Sequence, residues 1–365
     1  MKKYSKNTAI PKMLARSNYK NKKNSSTKFD ENNFTKHKTS AWGLFGKGLK
    51  LYLKNFYILS EGMIFPVFGQ LIGIVLILWP CFYYSQNVLS WINTYPALNN
   101  IGMVFLLLIL IAAPGFFIFT KAFWEYMIAT VSLNALVSNI LKRGNLNDIA
   151  IHNQIIKGKS KDYISLLSIL CLIWVIGLVA PFGVFALDIN IGAKTFFFSS
   201  AMIISVITLL SLSVYFSLAF QVFALENLSP IRTINKSMNL LEGNFWRALW
   251  LGVLLFVVTS AVVPSIIQYM VGNSIIIKPI THPVYVYFSS LIKSPDMLAN
   301  SAIAPFISGK NIIFELSKVI TLSFVGIIIT SLMLPLGSAC YTLLYFETSN
   351  ALNTDEIKPT ARKKK

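Results

Sequence analysis

Six stretches of this chain, at 62–84, 101–120, 164–187, 197–225, 246–271 and 319–346, run for about twenty residues or more almost without charge. A bilayer core about 30 Å thick is crossed by roughly 20 apolar residues wound as a helix, and helices satisfy their own backbone groups where no water can. The expected fold class is therefore all-α: a polytopic membrane helix bundle with six transmembrane helices. Composition agrees. Only 13% of the 365 residues are charged and mean hydropathy is +0.60, where a soluble domain carries about 25% charge. A soluble enzyme, a disordered chain and a disulfide-stapled secreted domain are all excluded.

The stretch 121–141 follows the second run with no turn between them, broken only by Lys121 and Glu125. It reads either as a seventh span or as the extension of one long helix, and loop charge separates the two. The chain carries 33 Lys+Arg against 14 Asp+Glu, a net charge of +19. With six spans and both ends on one side, that side holds fourteen basic residues in 1–54, five in 142–161, three at Arg232, Lys236 and Arg247, and five at the C-terminus. The other side holds four: Lys194, Lys278, Lys293 and Lys310. Basic residues concentrate in cytoplasmic segments, so a multi-pass cell (inner or plasma) membrane protein with both termini cytoplasmic is expected. A seventh span would place the 142–161 loop outside. The same distribution points to anionic lipid headgroups as partner, with no nucleic acid; other membrane proteins are a second class of partner.

Each cytoplasmic connector has a related shape. Three segments begin at a helix-capping residue and reach an Asn/Asp–aromatic pair fifteen residues later: Ser40 to Asn55-Phe56, Asn147 to Asp162-Tyr163, and Ser229 to Asn244-Phe245. Apolar residues three to four apart (Trp42, Phe45, Leu49, Leu53; Ile231, Ile234, Met238, Leu241) mark a helical stripe with basic residues beside it. That is the pattern of an amphipathic interfacial helix lying in the headgroup plane. The six-span domain, 40–347, thus divides into three repeating units, 40–141, 147–225 and 229–347, each an interfacial helix followed by an outgoing and a returning span. The alternative is that any hairpin of spans needs a capped, amphipathic connector. Residues 1–39 read as a disordered basic cytoplasmic tail, residues 348–365 as a second basic tail. The short apolar runs in 273–311 are expected to cap the outer face or dip into the interface.

From Ser217 to about Leu254 the chain has a span ending at Glu226, a Ser229-Pro230 turn, a helix carrying Ser237, and Gly243 with Phe245-Trp246 leading into the next span. This resembles the membrane domain attached to some bacterial glycerophosphodiester phosphodiesterases, and its stand-alone relatives. The ending CYTLLYFETSNAL, with Leu344, Tyr345 and Glu347, is similar to that family's closing stretch. In such proteins phosphodiester hydrolysis belongs to a separate soluble barrel, and no stretch here reads as one. The resemblance implies a polytopic bacterial membrane protein rather than hydrolase activity.

Candidate chemistry is sparse. Ser229 as N-cap with Pro230 at the first helical position is a good helix start. Glu226 beside it reads either as an ion or proton site, or as an elbow pairing with Arg232, Lys236 or Arg247. Lys121 and Glu125 share a helix face, as a structural pair or an intramembrane site. Pro114-Gly115, Pro181 and Pro335 interrupt spans. His37, His152 and His282 fall far apart, and Cys81, Cys171 and Cys340 read as buried small hydrophobes. No HExxH, GxSxG or P-loop occurs, so no catalytic, cofactor-binding or metal residue is assigned, and no cofactor is expected. The leading expectation is an integral membrane protein that organises or assists membrane or lipid-related components, not an enzyme. The alternative is a permease for a small apolar or zwitterionic molecule, using Gln70, Asn134, Ser211, Ser213 and Gln221.

Overall fold

A computed structural model describes residues 39–95, 100–143, 149–186, 190–275, 277–291 and 312–356, all helical apart from turns. The helices are α1 (Ala41–Lys54), α2 (Phe56–Thr94), α3 (Ile101–Arg143), α4 (Ile149–Gly158), α5 (Ser160–Val179, continued as a 3-10 turn over Ala180–Ala186), α6 (Ile191–Tyr215), α7 (Ala219–Leu225), α8 (Pro230–Leu241), α9 (Phe245–Phe256), α10 (Val263–Gly272), α11 (Ile277–Leu291) and α12 (Ile312–Glu356). A π-helical segment, Val257–Val262, joins α9 to α10.

Among the described residues six segments are long and apolar enough to cross a membrane: Phe56–Cys81, Ile101–Lys142, Ser160–Ala186, Ile191–Leu225, Phe245–Gly272 and Ile313–Ser349. They match the six apolar stretches one for one. There is no break at 121–141. α3 runs through it, and its 43 residues make a rod about 65 Å long, well beyond the thickness of a bilayer, so its surplus extends past the membrane. α3 and α12 also continue through Pro114 and Pro335, while at Pro181 the helix tightens to 3-10 geometry.

α2 and α3 form a close hairpin. A Cβ on Gly73 would fall 2.7 Å from the backbone of Phe119, and one on Gly115 2.6 Å from the backbone of Ile77. Without a hydrophobic drive between helices in lipid, small residues that let backbones approach are what hold such pairs. The main core lies where α1, the start of α2, the end of α3, α7, α8, α9 and α12 converge, around Leu44, Leu59, Leu133, Leu218, Leu251 and Leu343. A second cluster, around Tyr163 and Phe223, ties α5 and α7 to α3. Both lie at the end of the bundle that carries Lys47, Lys142 and Arg247, here called the basic end.

The interfacial expectation needs correction for α1. Thr39 contacts Glu347, Gly48 lies against Cys340, and the Tyr52 hydroxyl donates to the Leu332 carbonyl at 2.8 Å. α1 therefore runs antiparallel along α12 rather than flat across it. Its buried face is Leu44, Gly48 and Tyr52, not the Trp42–Leu53 stripe, of which Trp42 is 72% exposed. Leu53 is exposed too, as lipid unlike water allows, whereas Phe45 and Leu49 are half-buried against the core. In α8 the stripe is split: Ile234 and Leu241 are buried, Ile231 and Met238 exposed. Three further differences stand out. Residues 277–280 and the VYVYF run belong to one helix, α11, which packs on α12 through Tyr285 and Phe314 with ring centroids 5.9 Å apart. The start of the expected C-terminal tail is the last part of α12. Only Cys340 of the three cysteines is buried; Cys81 is intermediate and Cys171 exposed. His37, the cap Asn147 and the rest of the two expected tails lie outside the described residues.

Candidate functional site

Two carboxylates organise the basic end, and the last helix reaches both. Glu226 ends α7 in extended conformation. Its Oε2 accepts from Lys236 Nζ at 2.7 Å and its Oε1 from the Tyr345 hydroxyl at 2.5 Å. Two residues further along α12, Glu347 accepts from the Arg247 guanidinium and, at 2.6 Å, from the Thr39 hydroxyl, with Lys47 Nζ 3.8 Å away. Lys47 also donates to Thr39 Oγ1 at 3.1 Å. Only 4% of the Glu347 side chain is exposed, and 13% of Arg247. A carboxylate so removed from water needs both a counter-ion and hydrogen-bond donors to stay charged, and Glu347 has both. Ser237 secures α8 by donating to the Tyr215 carbonyl at 2.7 Å, and Lys142 caps the ring of Phe346 at 5.0 Å. Gly243 turns the chain from α8 into α9 at φ +74°, a conformation in which a side chain is strained.

Of the expected elbow, Glu226 and Lys236 come together, whereas Arg247 goes to Glu347 and Arg232 is exposed, with no ion pair among the described residues. Ser229 holds the N-cap position of α8 with Pro230 at its first turn, but its side chain makes no capping bond. The Ser40 side chain does cap α1, accepting from the Gly43 amide at 3.2 Å. Lys121 is exposed and Glu125 half-buried on α3, and they form no ion pair within 4.0 Å. His282 is exposed on α11. His152 is buried, its Nε2 3.0 Å from the Asn139 amide nitrogen. The amide N–H donates, leaving the ring neutral, and burial holds its pKa below the ordinary 6.5. Among the described residues no three His, Cys, Asp or Glu side chains gather as a metal site would require. Sequence reasoning missed Glu347 and Arg247 as partners, since 100 residues separate them. The signal was present in one form only: a carboxylate in an otherwise apolar ending.

Further along α12, a cleft of about 360 Å³ opens between α10 with its π-helical lead and α12. Its rim carries Ser260, Ser265, Gln268, Ser323, Thr330 and Ser331, none of them charged. The polar residues expected to serve a permease lie elsewhere. The Gln221 amide donates to Asn134 Oδ1 at 3.3 Å, and the Ser211 and Ser213 hydroxyls donate to carbonyls of their own helix.

No family model, curated protein or solved structure matches this chain.

Proposed function

We propose that this chain is a multi-pass cell-membrane protein whose basic end faces the cytoplasm, where it organises or assists lipid or other membrane components without a catalytic centre of its own. One observation carries the reading: the outward face of the basic end. The two clasp carboxylates are engaged in holding helices to α12, while Lys50, Lys54, Lys157, Lys161 and Arg232 stand exposed beside exposed Trp42, Tyr57, Trp246 and Trp250. Exposed cations accompanied by exposed Trp and Tyr are the side chains that suit anionic headgroups. The resemblance of 217–254 to a membrane domain found beside lipid-related phosphodiesterases supports the same reading.

The experiment is lipid retention. Protein in nanodiscs that mix zwitterionic and anionic phospholipid is expected to enrich the anionic lipid around itself, and neutralising those five cations together is expected to abolish the enrichment. An annulus matching the bulk mixture, with no protein partner co-purifying, overturns the proposal. A cysteine probe placed in 144–148 is expected to react only after the membrane is permeabilised; reaction in intact cells overturns the orientation.

The permease reading draws its support from the cleft. Without a charge on its rim to pair with a zwitterion, that chemistry supports an uncharged molecule only.

A further inference from the structure

Hydroxyls on membrane helices commonly donate to a carbonyl one turn back, as Thr120, Thr130, Thr208 and Ser323 do here. Around the cleft Ser323 keeps this habit, but three other rim hydroxyls do not. Among the described residues the Ser265 and Thr330 hydroxyls have no hydrogen-bond partner, and the Ser260 hydroxyl meets only that of Thr259, at 3.5 Å. The backbone is irregular at the same place. α9 passes into the π-helical turn Val257–Val262, where the Val263 amide donates five residues back to Val258. Pro264 follows with no N–H to give, so a carbonyl of the preceding turn is short of its helical donor. π-helical turns inside α-helices occur frequently at functional sites. On the facing wall Gly326 makes room for the Gln268 amide, whose nitrogen a Cβ there would meet at 2.2 Å and which donates to the Leu322 carbonyl at 3.0 Å.

The height of the cleft decides what it can hold. In the span Phe245–Gly272, Ser260 and Ser265 stand 15 and 20 residues from the start, about 22 and 30 Å along a segment about 42 Å long. Ser323 and Ser331 stand 5 and 13 residues below Lys318, about 8 and 20 Å. The rim thus lies beneath the headgroup level, in the acyl layer. Exposed Ser260, Ser265 and Ser323 show that the cleft opens sideways from the bundle. A charged head at this depth would lose its water and find no counter-ion. An uncharged head with one or two hydroxyl or ester groups would find free donors and acceptors while its chains stay among lipid.

We propose that the cleft between α10 and α12 is a laterally open binding site for the uncharged, hydroxyl- or ester-bearing head of a membrane lipid, of the class of a diacylglycerol or a long-chain alcohol. The site is independent of the basic end, and either reading stands if the other fails.

The test uses the full-length protein in nanodiscs with a diacylglycerol carrying a photoactivatable diazirine, its adducts mapped by peptide mass spectrometry. Adducts are expected to concentrate in 257–268 and 323–331. They are expected to fall at least about five-fold in the Ser265→Ala/Thr330→Val variant, the smallest effect of losing two neutral hydrogen bonds, and to be unchanged in Ser199→Ala/Ser200→Ala on α6. Both variants remove only hydroxyls, and an unchanged melting temperature verifies that they fold. Unlabelled diacylglycerol and a long-chain alcohol, added separately, show which of the two displaces the probe; displacement by either supports the site. Adducts spread evenly over all lipid-facing spans, labelling indifferent to the double variant, or equal displacement by phosphatidylglycerol each overturns it.

Discussion

Glu347 gathers Arg247, Lys47 and Thr39 onto one carboxylate that water scarcely reaches. Removing one member of a buried pair costs more than the pair contributes, because the other charge is left buried alone. Arg247 has a further reason to suffer: its Nε is already buried without a partner. Glu347→Gln is therefore expected to lower stability by about 3 kcal/mol, read as a fall in the melting temperature in detergent. Tyr345→Phe, which removes only the hydroxyl given to Glu226, is expected to cost roughly 1.5–3 kcal/mol. A second residue gives a pH signature. Burial depresses the His152 pKa below 6.5, so the unfolded chain binds a proton more readily than the fold does. Stability is then full above pH 6.5 and declines as pH falls through and below that value. His152→Gln is expected to flatten the decline, as measured by melting temperature across pH 5 to 8. Of this chemistry the sequence disclosed the local half. Glu226 and Lys236 are ten residues apart, within reach of reasoning about a turn and its neighbours. Which of three nearby cations would leave for a distant carboxylate depends on how α9 and α12 meet, and no spacing encodes that.

At the scale of elements, α1 and α12 show how a membrane reverses the usual reading of amphipathicity. In water the apolar stripe of a helix turns inward; beside lipid it is free to turn outward, and the face that packs is the one that permits close approach. On α1 that face is Leu44, Gly48 and Tyr52. A Cβ on Gly48 would stand 2.3 Å from Cys340 Sγ and 3.3 Å from the Cys340 backbone. Gly48→Ala is thus expected to destabilise the contact by about 1–3 kcal/mol, and Cys340→Ala in the same chain to recover most of that loss. A double-mutant cycle on thermal stability measures the coupling, and additivity of the two changes is the outcome that contradicts the contact. The six long helices were legible from length and apolarity, and the continuity of α3 through 121–141 from the basic charge of the loop that follows it. The direction of α1, the joining of two short apolar runs into α11 and the π-helical turn were not, since each is settled by a neighbour distant in sequence.

Across the whole molecule, burial is uneven. The most apolar window of the last span is 33% buried, against 6% for the third, so α12 is the axis and α5 a flank. The most slowly exchanging amides are expected in 336–345 and 248–255, with 164–179 exchanging faster, as hydrogen-exchange mass spectrometry of the reconstituted protein can measure. The number of spans was legible from the apolar runs; the off-centre core was not, because apolarity is nearly uniform from span to span. The contact between Thr39 and Glu347 joins positions 308 residues apart, which orders events during synthesis. A ribosome delivers α1 first and the end of α12 last, so five spans wait in the bilayer with Lys47 and Arg247 lacking their carboxylate. This end of the fold closes only once residue 347 has been made, and a chain stalled before it leaves both cations without their counter-ion.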